Sequence, residues 1–267
     1  MLAKIFLELT EFSWFRRVAW KPIYNHLAKQ FPFDDWVFMN YGFEPDDPSA
    51  RPALSETDEP DRYPLQLYHF LATQTGIEGK TVLEVGSGRG GGASYIARYL
   101  NPKEIIGMDI AGNAVSFANK RHQSPNLRYV TGNAESIPFE DDRFDVVINV
   151  ESSHAYGSVA RFFAEVKRVL KPGGYFLITD MRDPKNLAAF EQTLLGSGLG
   201  LVSQKVISPN VVKAIELEDE LKRARIRRQV PARYVKFFEE FGGVKNSQID
   251  KDLRSGNLVY FWYVLRK

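Results

Sequence analysis

The chain of 267 residues contains no cysteine. This absence excludes disulfides, cysteine-ligated zinc and a thiolate nucleophile, and it fits a reducing compartment. The chain also lacks any uninterrupted apolar run that approaches the roughly 18 residues of a membrane-spanning helix. Its net charge is only +2, which is too small to indicate nucleic acid or acidic lipid as a partner. The length and the 44% apolar content are those of one large globular α/β domain, or of such a domain with a sizeable cap.

The first 20 residues are apolar but do not form a secretory signal. Glu8 and Glu11 interrupt them, Lys4 is the only basic residue of a would-be n-region, and no small-residue cleavage site follows. We therefore expect a cytoplasmic protein. Helical spacing of the apolar positions predicts an amphipathic helix here: Leu2, Ile5, Phe6 and Leu9. Its apolar face has three open roles, namely packing on the body of the protein, covering a substrate mouth, or touching a membrane surface.

Short apolar runs alternate with amphipathic segments in the middle of the chain. Predicted strands cover residues 81–85, 104–108, 127–131, 144–150 and 175–179, and predicted helices cover 91–100, 114–121 and 159–170. Such alternation predicts a mostly parallel sheet with right-handed crossovers, as in a Rossmann-like α/β fold. Residues 171–174, with a proline and two glycines, are expected to end a helix and turn the chain.

The flanks of this core differ from it. Residues 1–75 are expected to form a helical lead-in or lid, with a helix over 63–76. Residues 76–184 form the core. Residues 185–267 are expected to supply a helical cap and the final antiparallel strands, through a helix over 184–195, a strand over 199–207, mostly helix over 209–241 and a last strand over 258–265.

Residues 81–91 are the most informative stretch, because an apolar strand ends in an acid and a glycine-dense turn follows. Glycine lets the chain turn sharply and lets a ligand approach the main chain. Glu84 precedes Gly86 by two residues. A carboxylate at this place would repel a phosphate bound at the helix N-terminus. The same carboxylate would attract a cationic group of a ligand. S-adenosylmethionine carries an ammonium group and no phosphate, and it is the ligand that this loop indicates.

The glycines alone leave a different class of enzyme open. Gly86, Gly88 and Gly91 satisfy the G-x-G-x-x-G pattern of dinucleotide-binding proteins, and Asp109 follows about 20 residues later, where such proteins place a ribose-binding acid. Asp109 fits both cofactors. Glu84 fits only S-adenosylmethionine, so a nicotinamide-dependent oxidoreductase is the alternative hypothesis.

Four motifs occur together in one order: residues 84–90, 107–110, 132–135 with 138–139, and 144–147 with 170–174. In this set the chain resembles the small-molecule branch of the class I S-adenosylmethionine-dependent methyltransferases. The resemblance covers roughly residues 75–185 strongly and the flanks more loosely. It implies S-adenosyl-L-methionine as cofactor, S-adenosyl-L-homocysteine as product, and no metal.

The resemblance also implies roles for individual residues. The glycine loop would line the methionine portion, with Glu84 shaping that pocket. Asp109 would hold the ribose hydroxyls, and Ile110 would pack on the adenine. Asn133 stands where the family usually has aspartate, and its amide oxygen can still accept from the adenine amine. The full set of expected cofactor residues is Tyr41, Glu84, Gly86, Ser87, Gly88, Gly90, Asp109, Ile110, Asn133, Ala134, Glu135 and Asn149.

The catalytic candidates follow the predicted strand at 144–150. Ligands of an open parallel sheet lie beyond the carboxyl ends of its strands, so His154 and Glu151 are expected to face the transferable methyl group. Histidine suits proton removal near neutral pH, which favours His154 as general base and Glu151 as the second candidate. A histidine that only binds substrate remains the alternative, and a carboxylate acceptor would need no base.

Within the family, the chain is most similar to phthiotriol/phenolphthiotriol dimycocerosate and fatty-acid O-methyltransferases. The matching segments are residues 58–60, 67–69, 90–95, 150–154 and 256–260. This implies a lipophilic acceptor methylated on a hydroxyl or carboxyl oxygen, and aromatic residues of the lead-in would suit its pocket. Carbon methylation of a sterol- or terpenoid-type acceptor stays open, as does a non-catalytic cofactor-binding scaffold. A nucleic acid partner is not expected, while peripheral membrane contact and a homo-oligomer are left open.

Overall fold

A computed structural model of the chain describes residues 36–267. The amphipathic helix expected within the first 20 residues lies outside this range. Seven strands form one sheet: β1 (Thr81–Val85), β2 (Glu104–Asp109), β3 (Leu127–Thr131), β4 (Phe144–Val150), β5 (Leu170–Arg182), β6 (Gly200–Val206) and β7 (Val259–Arg266). Their order across the sheet is β3-β2-β1-β4-β5-β7-β6. Only β7 runs against its two neighbours, so the expected mostly parallel Rossmann-like sheet is confirmed.

Eight α-helices lie within residues 36–267: α1 (Arg62–Ala72), α2 (Gly91–Tyr99), α3 (Gly112–Arg121), α4 (Val159–Val169), α5 (Pro184–Leu195), α6 (Ser208–Gln229), α7 (Ala232–Phe241) and α8 (Gln248–Ser255). Helices α6 to α8 are inserted between β6 and β7, as a cap before the last strand. Helix α5 is not part of that insertion, because it precedes β6 and buries Phe190 and Leu194 against the sheet. None of these helices combines the length and the apolar character needed to cross a bilayer.

The two faces of the sheet carry separate hydrophobic cores. Because side chains alternate along a strand, Val82 of β1 belongs to one core and Leu83 to the other. The first core is covered by α1, α2 and the start of α6, and the second by α4 and α5. Strands covered on both faces must be largely apolar, which is why β4 is apolar except at Asp145 and Asn149.

The structure departs from the sequence expectation at residues 171–174. These residues were expected to be a turn before a strand at 175–179, but β5 already pairs with β4 at Leu170. Phe144 of β4 pairs with Leu170 of β5, and the next pair is Val146 with Tyr175. One residue of β4 therefore lies opposite residues 171–174 of β5, which bulge out of the sheet. Gly173 has φ +79°, a conformation that glycine adopts without strain. The glycines therefore create a bulge within a strand rather than a break before one.

The cap also differs in detail from its expectation. The mostly helical stretch predicted over 209–241 is two helices, since Pro231 lies between α6 and α7 and has no N–H to continue the first helix. Helix α8 was not predicted. The basic run at 222–228 is balanced by acids, because Lys222, Arg223 and Arg225 each pair with a carboxylate.

Candidate active site

The carboxyl ends of β1 to β5 meet at one edge of the sheet, and β7 begins at that same edge, since its Val259 pairs with Arg182. The glycine loop, the residues after β2 and β3, and the segment after β4 all follow strands that end there. Every cofactor residue expected from the core motifs therefore lies on this edge. Tyr41 joins them from the lead-in, because its amide donates to Oε1 of Glu151 over 2.9 Å.

Glycine is present at different positions of the loop for different physical reasons. A Cβ on Gly86 would lie 2.2 Å from Oγ of Ser152, and one on Gly90 would lie 2.7 Å from the ring of Tyr129. Packing demands glycine at both positions. At Gly88, a Cβ would meet no heavy atom within 4 Å among the residues that the structure describes. Gly88 thus faces open space, as the floor of a ligand cradle would.

Glu84 is fully buried directly before this loop. Tyr68 of α1 donates to its Oε1 over 2.7 Å, while its Oε2 has no hydrogen-bond partner within residues 36–267. Burial raises the pKa of Glu84 to about 7, against the opposite effect of the hydrogen bonds from Tyr68 and the amide of Ala93. A buried carboxyl group with one unused oxygen suits a cationic partner.

Asp109 ends β2 on the opposite side of the loop. Its Oδ2 accepts from the amide of Gly88 and its Oδ1 from the amide of Ala111, each over 2.8 Å. Burial raises the pKa of this carboxyl, although both amides favour its charged form. Each oxygen keeps a second lone pair, so two adjacent hydroxyl groups can still be bound. The next residue, Ile110, is 37% exposed, and offers an apolar surface beside Asp109.

The residues after β3 form a tight turn. Oδ1 of Asn133 accepts from the amide of Glu135 over 3.0 Å, so this oxygen already holds the turn together. Oε1 of Glu135 accepts from the amide of Ser158, which caps α4. The Ala134 side chain is buried in the second core. Asn133 is exposed and accessible to a ligand, whereas the bond between Glu135 and the amide of Ser158 stabilises the start of the neighbouring helix.

Asn149 near the end of β4 supports the glycine loop from behind. Its Nδ2 lies 2.9 Å from the carbonyl oxygen of Val85, and within 3.0 Å of the hydroxyls of Ser152 and Tyr156. Its Oδ1 is buried without a hydrogen-bond partner in the described range, and so is Oγ of Ser87. With Oε2 of Glu84, three unpartnered polar atoms therefore surround one loop. Buried polar atoms are rarely left so, which indicates a polar ligand here.

His154 lies on a short 3₁₀ turn after β4, next to the end of β5. Its Nδ1 is 2.8 Å from Oδ1 of Asp180, and its amide donates to Oδ2 of Asp180 over 3.0 Å. Burial acts to raise the pKa of Asp180, but the charge of Arg182 and the contacts with His154 hold it well below its usual range. Asp180 is thus an anion that fixes the ring, so Nδ1 carries the proton and Nε2 is the basic nitrogen.

Glu151 follows β4 directly and adopts φ +43°, which is unusual for a residue with a side chain. Oε1 of Glu151 accepts from Tyr260 of β7 as well as from the amide of Tyr41. Burial raises the pKa of Glu151 to about 8, although these two donors favour the ionised form. At neutral pH the carboxyl of Glu151 is therefore mostly protonated, in contrast to that of Asp180.

Three residues of this site were not assigned a role from the sequence: Asp180, Tyr260 and Tyr68. Asp180 ends a predicted strand beside the one that precedes His154, so the rule that parallel strands end at one edge could have paired them. Tyr260 reaches the site because β7 runs antiparallel and begins there. No local pattern marks Tyr68, which is one of several buried residues of an amphipathic helix.

The residues at this edge fit S-adenosylmethionine. Glu84 offers a carboxyl oxygen to an ammonium group, Asp109 offers acceptors to ribose hydroxyls, Ile110 offers an apolar face, and Gly88 leaves open space between them. Within residues 36–267, no group of three or more histidine, aspartate or glutamate side chains is arranged to hold a metal ion. The expectation of a metal-free enzyme stays a prediction.

Comparison with known proteins gives the same result. A family model described as a methyltransferase domain matches residues 83–178. The chain is 39% identical over 262 residues to a fatty-acid O-methyltransferase of Mycolicibacterium smegmatis, covering 94% of each chain. It is 41% identical over 256 residues to a phthiotriol/phenolphthiotriol dimycocerosates methyltransferase of Mycobacterium tuberculosis, covering 96% of this chain and 94% of the relative.

Among solved structures, the [4+2]-cyclase SpnF is similar with a TM-score of 0.71 at 20% identity, covering 92% of this chain and 95% of that one. This likeness shows the fold alone, because one fold hosts different reactions. The two relatives near 40% identity, which the alignments cover almost completely, decide the family. They exclude the oxidoreductase that the glycines left open, and the chain belongs to the S-adenosylmethionine-dependent methyltransferases.

Proposed function

We propose that this enzyme transfers the methyl group of S-adenosyl-L-methionine to a hydroxyl or carboxyl oxygen of a lipophilic small molecule, with His154 as general base for a hydroxyl. The observation that carries the proposal is the 2.8 Å contact between Nδ1 of His154 and the buried Asp180, at the edge where the glycine loop lies. The names of the two relatives support a lipid acceptor, since they are a fatty-acid and a phthiotriol methyltransferase.

The cofactor would be held by the residues around the glycine loop. Glu84 would pair with the ammonium group through Oε2, Asp109 would accept from both ribose hydroxyls, and Ile110 would pack on the adenine. Asn133 and the main chain of Ala134 would meet the adenine edge. Tyr41 would close the methionine end, because its position is fixed by the bond from its amide to Glu151.

Bound S-adenosylmethionine supplies an electrophilic methyl group and a sulfur leaving group. The protein must orient the acceptor oxygen in line with that methyl group and remove the hydroxyl proton. As the acceptor oxygen would take the methyl group and the sulfur would keep the electrons of the broken S–C bond, Nε2 of His154 would take the hydroxyl proton. Asp180 keeps the ring in the tautomer that leaves Nε2 basic. The sulfur product is S-adenosyl-L-homocysteine.

Glu151 is less suited to the role of base, although it lies at the same edge. Burial raises the pKa of Glu151 to about 8, so only a minor fraction of this carboxyl is ionised at neutral pH, and its Oε1 already accepts from Tyr260 and from the amide of Tyr41. The environments of Glu151 and Asp180 push the pKa values of two nearby carboxyl groups in opposite directions. Such a pair often marks separate roles in one active site.

A cleft beside this edge supports an apolar acceptor. It lies between residues 36–40 and helices α6 and α7, and its apolar lining includes Trp36, Phe38, Met39, Ile226 and Phe241. Aromatic and aliphatic side chains are typical of sites for lipophilic ligands, and this cleft combines them with the polar residues Asn40, Glu218, Lys222, Arg225 and Gln229. The lining of the cleft also includes Asn40, and the next residue, Tyr41, donates from its amide to Glu151.

The test is methyl transfer from isotopically labelled S-adenosylmethionine to long-chain alcohols and acids, with the product identified by NMR. An O–CH₃ product is expected, and a C–CH₃ product would overturn the proposal. His154→Ala should lower turnover of a hydroxyl acceptor by about 10²-fold or more while leaving cofactor affinity nearly unchanged. His69→Ala is the matched control, since the His69 ring contacts Tyr95. Full turnover by His154→Ala would remove His154 from the role of base.

A further inference from the structure

The charged residues of the cleft are ion-paired, although Oε2 of Glu218 makes no hydrogen bond within residues 36–267. Among the described residues that line it, the cations are Lys222 and Arg225 of α6. Nζ of Lys222 lies 2.9 Å from Oε2 of Glu218, one helical turn earlier, and Nη1 of Arg225 lies 2.7 Å from Oδ1 of Asp61. The side chains of Lys222 and Glu218 are only 15% and 4% exposed, so solvent screens this pair little. Each cation is therefore neutralised by its own carboxylate.

Lys222 also acts on the active-site edge. Its charge lowers the pKa of Glu151, although the larger effect of burial raises it. Lys222 further donates to the carbonyl oxygen of Gly242, at the end of α7. The positive charge of the cleft nearest to Glu151 is thus held between two helices of the cap, and Glu218 cancels it.

This charge balance gives a carboxylate acceptor and a hydroxyl acceptor different costs of entering the cleft. A carboxylate that leaves water for an apolar cleft requires an unused cation or several hydrogen-bond donors. Here the available cations are already paired, and a second carboxylate near Glu218 would be repelled. A hydroxyl group carries no charge and needs only one or two hydrogen bonds, so it enters such a cleft at a much smaller cost. The positive sulfur of the cofactor attracts a carboxylate more strongly than a neutral hydroxyl, so a preference for the hydroxyl has to come from the charges of the protein.

The base at the edge gives an independent reason for the same choice. A carboxylate is already ionised at neutral pH and can be methylated without proton removal, whereas a hydroxyl must lose its proton. The buried Asp180 fixes His154 with its Nε2 basic. A site for carboxylates alone would have no use for this arrangement.

We propose that the Glu218–Lys222 pair is a specificity determinant, which makes the enzyme select a long-chain lipid with a hydroxyl group over the matching carboxylate. The inference rests on the proposed function, in which the cleft binds the acceptor, and it goes further by choosing between the two oxygen classes. Glu218 acts on specificity through Lys222, so the residue is a positioning and charge-balancing group rather than a catalytic one.

The first test uses the full chain with an alcohol and a carboxylic acid of the same chain length. The expected kcat/KM for the alcohol exceeds that for the acid by about tenfold or more, which corresponds to about 1.4 kcal/mol. A preference for the acid would overturn the inference while leaving the proposed O-methylation intact. Methylation of neither acceptor by protein that binds S-adenosylmethionine would overturn both.

The second test changes the pair itself. Glu218→Gln keeps the shape and leaves the charge of Lys222 uncompensated, so kcat/KM for the acid should rise about tenfold relative to the alcohol. Glu216→Gln is the matched control, because it removes the same charge from the same helix, where Glu216 contacts Arg254 and Lys245. The double variant Glu218→Gln/Lys222→Gln is neutral again and should restore the preference for the alcohol. An unchanged ratio in Glu218→Gln, or an equal shift in Glu216→Gln, would overturn the role of the pair. If Glu218→Gln does not fold, Lys222→Gln takes its place: it leaves the charge of Glu218 uncompensated, so the preference for the alcohol should increase, and an unchanged ratio would overturn the role of the pair.

Discussion

The phenol of Tyr68 donates a hydrogen bond to Oε1 of Glu84 over 2.7 Å, and both side chains are buried. The tyrosine belongs to α1 in the lead-in and the glutamate to β1 in the core, so this bond joins the two parts directly behind the glycine loop. Tyr68 also lies against Gly92, where a Cβ would be 2.0 Å from its ring. With Oε1 held in this way, the unpartnered Oε2 is the oxygen that a ligand can use.

Removal of the Tyr68 hydroxyl should weaken cofactor binding. A hydrogen bond to a charged group contributes about 1.5–3 kcal/mol, so Tyr68→Phe should raise the Kd for S-adenosylmethionine by about tenfold or more. Turnover at saturating cofactor should stay close to that of the wild type, because Tyr68 does not belong to the proton-transfer pair. Calorimetric titration and steady-state kinetics measure the two quantities. Unchanged affinity in Tyr68→Phe would show that Glu84 does not depend on this bond.

Cofactor affinity should also depend on pH through Glu84. Its pKa of about 7 means that the carboxyl is protonated at lower pH and must lose its proton to pair with an ammonium group. Besides burial, the groups that influence it are Tyr68, the amide of Ala93 and Asp109. Affinity should therefore fall by up to about tenfold per pH unit below 7, and level off above it.

The measurement is the Kd from pH 5.5 to 7.5, since α-amino groups themselves lose their proton near pH 7.7–8.0. Glu84→Gln should bind about 10²-fold more weakly at pH 7.5, with a flatter dependence on pH. Binding in two buffers of different ionisation enthalpy should show proton release near pH 6.5. A wild-type slope equal to that of Glu84→Gln would assign the titration to another group.

The sequence was sufficient for the core because local signals repeat there. Strands β1, β3 and β4 have the predicted bounds, since each is a short apolar run with polar or glycine-rich residues at both ends. The edge that gathers the cofactor residues followed from the parallel arrangement alone. His154 and Glu151 could be placed on it because both follow β4.

The partners of these residues could not be derived in the same way. Asp180 is 26 residues from His154, and Tyr260 is 109 residues from Glu151. Such contacts depend on strand register and on the direction of β7, which no local pattern encodes. The balance of charge in the cleft likewise requires knowing that Glu218 and Lys222 point into it rather than into solvent. A basic and acidic helix gives the same sequence pattern in both cases.

Two glycines of the loop region should respond differently to alanine. Gly92→Ala places a methyl group against the ring of Tyr68, which Glu84 holds in place, so a loss of about 2–3 kcal/mol of stability is expected. Gly88→Ala meets no neighbouring atom, and its left-handed φ of +52° costs only about 1–2 kcal/mol. Its methyl group would project into the cofactor space and raise the Kd by about tenfold or more. Urea unfolding and cofactor titration of both variants separate these effects. Normal cofactor affinity in Gly88→Ala would show that Gly88 does not line the cofactor site.

Glu151 should make the stability of the cofactor-free protein depend on pH. Its folded pKa is about 8 against an ordinary 4.5, so the folded protein keeps a proton that the unfolded chain releases. The stabilisation is complete below pH 4.5 and is lost as the pH rises toward 8.

Tyr260, Tyr41, Asp180 and Lys222 set this pKa together with burial, and all of them remain in Glu151→Gln. That variant should match the wild type within about 1 kcal/mol at pH 5 and exceed its stability by about 4 kcal/mol at pH 8. Glu84 contributes a slope of the same sign to both proteins, so the difference between their urea midpoints isolates Glu151. If the urea midpoints of the two proteins change in parallel from pH 5 to 8, Glu151 is ionised in the folded protein. Glu151 would then again be a candidate for the general base.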